Sequence, residues 1–105
     1  MDDKKEILQE LIEDGDRIGK FTTADSGVGY FIIPNYYDDE IDHLDISACL
    51  EYTLHELLNA GYSDDDVANI LNADQIEDPD ELYNDRIPID LGYRISDQIL
   101  EIEEI

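Results

Sequence analysis

The sequence predicts an α+β fold: one small domain in which a β-hairpin or short antiparallel sheet packs against roughly three to five helices. Three observations predict it. The chain has 105 residues, room for one domain and one core. Ile46, Cys49, Leu50, Leu54, Leu57 and Leu58 recur at helical spacing and run up to Gly61. Two runs of β-favouring residues, 17–24 and 28–34, flank the turn sequence Asp25-Ser26-Gly27.

In chain order, residues 3–14 carry Ile7, Leu8, Leu11 and Ile12 as an apolar helical stripe, with Gly15 as its stop. Ile18, Phe21, Val28, Tyr30, Phe31, Ile32 and Ile33 suit strands, and Pro34-Asn35 ends the second one. An acidic loop, 36–45, leads to the long helix over 45–60. A further helix over 64–72 opens on Ser63 as N-cap. Asp66 stands three residues on, and Tyr62 and Val67 occupy the staple positions. Asp64, Asp65 and Asp66 fill its first turn, where the helix dipole favours negative charge. Asp78-Pro79, with Glu81 following, reads as the start of another short helix. Ile87-Pro88-Ile89-Asp90-Leu91 fits a strand. For the tail the reading favours a helix capped by Ser96 and carrying Ile99, Leu100, Ile102 and Ile105, over a strand.

Charge dominates the composition. The chain has 29 Asp and Glu against 6 Lys and Arg, a formal net charge of -23. Designed small domains sit nearer a net charge of magnitude about 2–8, and an excess beyond that repels itself. Residues 21–85 contain no Lys or Arg at all. A domain of this length is roughly 33 Å across, and duplex DNA carries a charge every ~1.7 Å, so a matching length of DNA bears about 20 charges. The protein and the polynucleotide are thus of similar charge for similar size.

The chemistry of catalysis finds little to work with. No phosphate-binding Gly-rich loop is present, and Gly27-Val28-Gly29 is too short for a dinucleotide fingerprint. No nucleophile elbow appears. His43, His55 and Cys49 lack zinc-ligand spacing. Neither Asp14-Gly15-Asp16 nor Asp64-Asp65-Asp66 makes a calcium loop. No enzyme activity, metal or cofactor is expected. Cys49 sits on the apolar helical stripe and reads as a small core residue. As the sole cysteine it forms no internal disulfide, which fits a reducing cytoplasm. No apolar run approaches the ~20 residues of a membrane span, and anionic lipid would repel the chain.

The acids fall into groups. Asp38, Asp39, Glu40, Asp42 and Asp45 form the first, and Asp64, Asp65 and Asp66 the second. Asp74, Glu77, Asp78, Asp80, Glu81 and Asp85 form the third, and Glu101, Glu103 and Glu104 the fourth. Tyr36 and Tyr37 flank the first group; tyrosine serves interfaces because it joins apolar area to a hydroxyl. The candidate partner-binding residues are therefore Tyr36 and Tyr37 with the first three acidic groups, excluding Asp85. Tyr62 and Tyr83 read equally well as residues at the edge of the core.

In size, acidity and lack of catalytic motifs the chain resembles the DNA mimics of phages and mobile elements, the anti-restriction and anti-CRISPR inhibitors. The resemblance covers overall composition and no motif, so it assigns no residue. It implies a cytoplasmic, non-enzymatic inhibitor, acting in the host cell if phage-encoded. Such an inhibitor occupies the nucleic-acid groove of a basic partner, a Cas effector or restriction enzyme, and touches no nucleic acid itself. An immunity protein that neutralises a nuclease toxin would use the same electrostatics. A salt-adapted housekeeping domain fits less well, because the chain has 15 Ile and 7 Tyr but only 5 Ala. A homodimer is compatible with the sequence.

Overall fold

In the computed structural model, which describes residues 3–24, 27–37, 45–72 and 95–105, the two β-favouring runs form the expected antiparallel hairpin. Strand β1 (Arg17–Thr23) pairs with β2 (Val28–Ile33) from Arg17 opposite Ile33 to Thr22 opposite Val28. Phe21 and Phe31 lie on one face of this pair, their rings tilted at 41° with centroids 6.0 Å apart. Both are fully buried. Each such side chain contributes about 1.5–3 kcal/mol by leaving water, which makes this pair the centre of the sheet's adhesion.

Helix α1 (Asp3–Leu11) is shorter than the apolar stripe predicts. The Asp16 carboxylate explains the early exit: it accepts the N–H of Glu13 at 3.1 Å and that of Asn35 at 2.9 Å, drawing the chain off the helix axis. Gly15 turns the corner at φ +90. Leu8 is the buried anchor of α1, and the Lys4 ammonium donates to the Val28 carbonyl at 3.1 Å.

Helix α2 (Ile46–Asn59) buries Ile46, Cys49, Leu50, Thr53, Leu54 and Leu57, the expected stripe plus one polar residue. That residue earns its place. The Thr53 hydroxyl donates to the Cys49 carbonyl and accepts the Ile32 N–H, both at 2.7 Å. Ile32 stands at the outer edge of β2, so α2 covers a sheet edge that would otherwise strand a backbone donor. Gly61, at φ +88, ends the helix as expected. Tyr62 N–H reaches Leu57 O at 3.2 Å and Gly61 N–H reaches Leu58 O at 3.1 Å, the paired bonds of a Schellman stop.

Helix α3 (Asp64–Leu71) begins as the capping pattern requires, with Ser63 Oγ accepting the Asp66 N–H at 3.3 Å. Tyr62 packs half-buried against the core and Val67 is fully buried, consistent with the staple. Asn72 ends the helix in the left-handed conformation, φ 51, and its amide donates to Thr23 Oγ1 at 3.0 Å.

The tail departs from its expected form. Residues 95–98 make a single helical turn, and strand β3 (Ile99–Glu104) replaces the favoured final helix. β3 pairs antiparallel with the free side of β1, giving a three-stranded sheet of order β2-β1-β3. The reason is the hydrogen-bonding of β1: buried Phe21 and Thr23 sit on its flank, and a helix there would leave the strand's backbone groups unpaired. A bulge beside Thr22 and Thr23 breaks the apolar alternation of the tail, which is why Ile99 and Ile102 mimic helical spacing. The helix expected at Asp78 and the strand expected at Ile87–Leu91 lie outside the described residues. The whole is an α+β domain with extents of 34 × 30 × 29 Å, matching the diameter expected from chain length.

Candidate functional site

The tyrosines beside the first acidic group sit on a turn built by carboxylate and amide bonds. Tyr37 N–H closes onto the Pro34 carbonyl at 3.0 Å. The Asn35 amide donates to the Asp14 carbonyl at 3.3 Å, and its N–H is held by Asp16. The turn after β2 is thereby tied to the turn after α1. The Arg17 guanidinium adds a third tie by donating to the Tyr37 carbonyl.

On this base the rings of Tyr36 and Tyr37 contact each other with centroids 4.9 Å apart. Tyr36 is 68% exposed, the most exposed large hydrophobic side chain among the described residues. Tyr37 is partly buried against the core. Burial pushes the Tyr37 hydroxyl pKa up, with Cys49, Tyr36 and Asp45 adding to it. Tyr52, on α2, is raised in the same way by burial and then by Glu56, Asp16, Glu13 and Tyr36. Tyr37 and Tyr52 therefore remain neutral hydrogen-bond donors within a ring of carboxylates.

Of the candidate residues read from the sequence, Tyr36, Tyr37 and Asp45 fall in this region; the structure sets Tyr52, Glu13, Asp16 and Glu56 beside them. A signal for two of them exists. Asp45, Cys49, Tyr52 and Glu56 fall at helical spacing on one stripe of α2 and its cap. Asp45 occupies the N-cap of α2 without a side-chain cap bond to that helix.

The second acidic group lies elsewhere. Asp65 and Asp66 are exposed in the first turn of α3, and Asp64 opens that helix. The turn after α2 joins them to that helix's C-terminal end, whereas Asp45 caps its N-terminal end. Fourteen helical residues separate the ends by about 21 Å at 1.5 Å per residue. Asp45 and the Asp65–Asp66 pair thus stand at opposite ends of α2. Asp38, Asp39, Glu40, Asp42, Asp74, Glu77, Asp78, Asp80 and Glu81 lie outside the described residues, as do His43 and Tyr83.

No protein-family model, no curated protein and no solved structure matches this chain. The site is therefore read from its own charges. Among the described residues with placed side chains, no carboxylate is buried; Glu6, Glu10, Glu13, Asp14, Asp65, Asp66, Asp97, Glu101, Glu103 and Glu104 are all exposed. The described cations are confined to α1 and β1: Lys4, Lys5, Arg17 and Lys20. Lys4 is bonded to a strand carbonyl, and Arg17 to both oxygens of Glu104 at 3.0 Å. No three His, Cys, Asp or Glu among the described residues converge as a metal site would require. Burial pushes the Cys49 thiol up to about 12, with Asp45 raising and Arg17 lowering it, so the thiol stays protonated and inert. No described helix is long and apolar enough to cross a membrane.

Proposed function

We propose that this protein is an acidic DNA-mimic inhibitor that occupies the nucleic-acid groove of a basic host-defence nuclease, a Cas effector or restriction enzyme. One observation carries the reading. Every placed carboxylate reaches solvent, while the described cations are gathered on α1 and β1. A groove built for phosphates presents Lys and Arg, and it accepts carboxylates held by a rigid scaffold. Asp45 and the start of α3, about 21 Å apart along α2, are separated by the length of some twelve duplex charges at ~1.7 Å per charge. The exposed Tyr36 ring supplies an apolar anchor between charges, and long-range attraction speeds the encounter.

The test uses the purified chain, a captured nuclease and a labelled duplex. The protein displaces the duplex at low salt and loses its grip as salt rises. The triple reversal Asp38→Lys, Asp39→Lys and Glu40→Lys weakens binding and leaves folding intact. A protein that binds the nuclease yet leaves its duplex loading unchanged refutes the reading.

A further inference from the structure

The outer edge of β3 is the feature that the acidic surface does not account for. Ile105 N–H donates to Ile18 O at 2.9 Å. In an antiparallel ladder this places residues 101, 103 and 105 in bonds to β1 and turns the N–H and C=O of Ile102 and Glu104 outward. β3 ends the sheet, and among the described residues no strand pairs with that edge. The opposite edge is treated differently: β2 is covered by Thr53 of α2 and by Lys4 of α1.

The side chains of β3 divide by face. Ile102 lies opposite Phe21 on the core face and is half-buried, and Ile99 beyond the bulge is buried; Leu100, the bulge residue itself, is 65% exposed and does not share that face. Glu101 and Glu103, opposite Thr22 and Lys20, are exposed on the other face. Neither makes an ion pair among the described residues. Charge disfavours a second copy of this chain as the occupant. Two β3 strands paired antiparallel about Ile102 set Glu101 of each copy against Glu103 of the other, and like charges directly opposite repel. The same carboxylates favour a strand of opposite sign.

We propose that the β3 edge docks an extended basic segment of the target protein as a fourth strand. Lys or Arg of that segment face Glu101 and Glu103, and an apolar residue on its other face covers Ile102. The proposal rests on the DNA-mimic reading for the identity of the target. Backbone pairing at Ile102 and Glu104 would give the complex a fixed register, which carboxylates at a phosphate groove do not supply by themselves.

The probe is a ten-residue peptide alternating lysine and valine, compared with one of equal charge in which two central valines are proline. The alternating peptide binds at least tenfold more tightly and slows amide exchange at Ile102 and Glu104. Ile102→Pro removes an outward N–H without removing a bond to β1, and it abolishes the difference between the peptides. Should that variant misfold, Glu101→Lys with Glu103→Lys decides: it lowers the affinity of the alternating peptide at least tenfold more than it lowers that of the broken one. Equal affinity of the two peptides for the native chain, or protection that misses Ile102 and Glu104, overturns the proposal. Neither readout involves DNA. A native chain that binds the peptide in this register yet displaces no duplex from any nuclease defeats the mimic reading and leaves the edge assignment standing.

Discussion

The ring of Phe31 lies directly over Gly19, its partner across the hairpin. A Cβ built on Gly19 would stand 2.3 Å from the ring's Cζ. The neighbouring pair repeats the arrangement with the strands exchanged: Phe21 covers Gly29 at 2.2 Å. Each ring fills the space that the absent side chain opposite leaves, and two glycines that would weaken ordinary strands become the floor of the core.

Replacing either glycine with alanine forces a buried ring out of its rotamer. Gly19→Ala and Gly29→Ala should each cost about 1–3 kcal/mol, the usual penalty for overpacking. Phe31→Ala should cost about 3–5 kcal/mol by leaving a cavity. Urea titration reads both as a lower midpoint at unchanged slope; a midpoint within error of the native value for Gly19→Ala removes the ring-over-glycine account.

Thr53→Val keeps the shape of the side chain and removes the acceptor of the Ile32 N–H. An orphaned buried donor costs about 1–3 kcal/mol, and Thr53→Ser should recover most of that. The check is thermal unfolding of both variants. A native midpoint for Thr53→Val, with the loss confined to Thr53→Ser, would mean that the γ-methyl, and not the hydroxyl, holds α2 against the sheet edge.

Alkali should destabilise the fold. Burial raises the Cys49 thiol from 9.0 to about 12 and also raises Tyr37 and Tyr52 above their usual 10.0. A raised native pKa means the folded state holds its proton longer than the unfolded chain. Stability is therefore fully present below pH 9 and falls between pH 9 and 12, by an amount on the order of a few kcal/mol. Cys49→Ala should flatten the pH 9–12 portion of the curve, at the cost of a lower plateau.

Arg17 joins the end of β3, through Glu104, to the turn carrying Tyr36, through the Tyr37 carbonyl. Arg17→Gln should cost under about 1 kcal/mol globally, as partly exposed ion pairs do. Its local effect should be larger: amide exchange at Ile105 quickens several-fold. Unchanged exchange there would assign the anchoring of β3 to the ladder alone.

Tyr36→Ala should leave the unfolding midpoint within about 0.5 kcal/mol, because the ring is 68% exposed. It should weaken binding to a captured nuclease by about 1–2 kcal/mol, the range of an aromatic anchor. Calorimetric titration at fixed salt measures this, and an unaltered affinity removes Tyr36 from the interface.

The sequence by itself determined the features whose causes lie within a few residues of one another. The Ser63 cap, the Tyr62 and Val67 staple, the Gly61 stop and the α2 stripe are bonds and contacts between near neighbours in the chain, so their spelling is local. The hairpin belongs with them, as does the net charge, which needs no fold at all. Only the tertiary structure decided the rest. Ile99–Glu104 became a strand because β1, far back in the chain, had a flank of backbone groups to satisfy, and that demand is invisible in the tail's own residues. Tyr52, Glu56, Glu13 and Asp16 joined Tyr36 for the same reason. Side chains distant in sequence acquire a common field only when packing sets them side by side, whereas a helix cap is complete within a single turn.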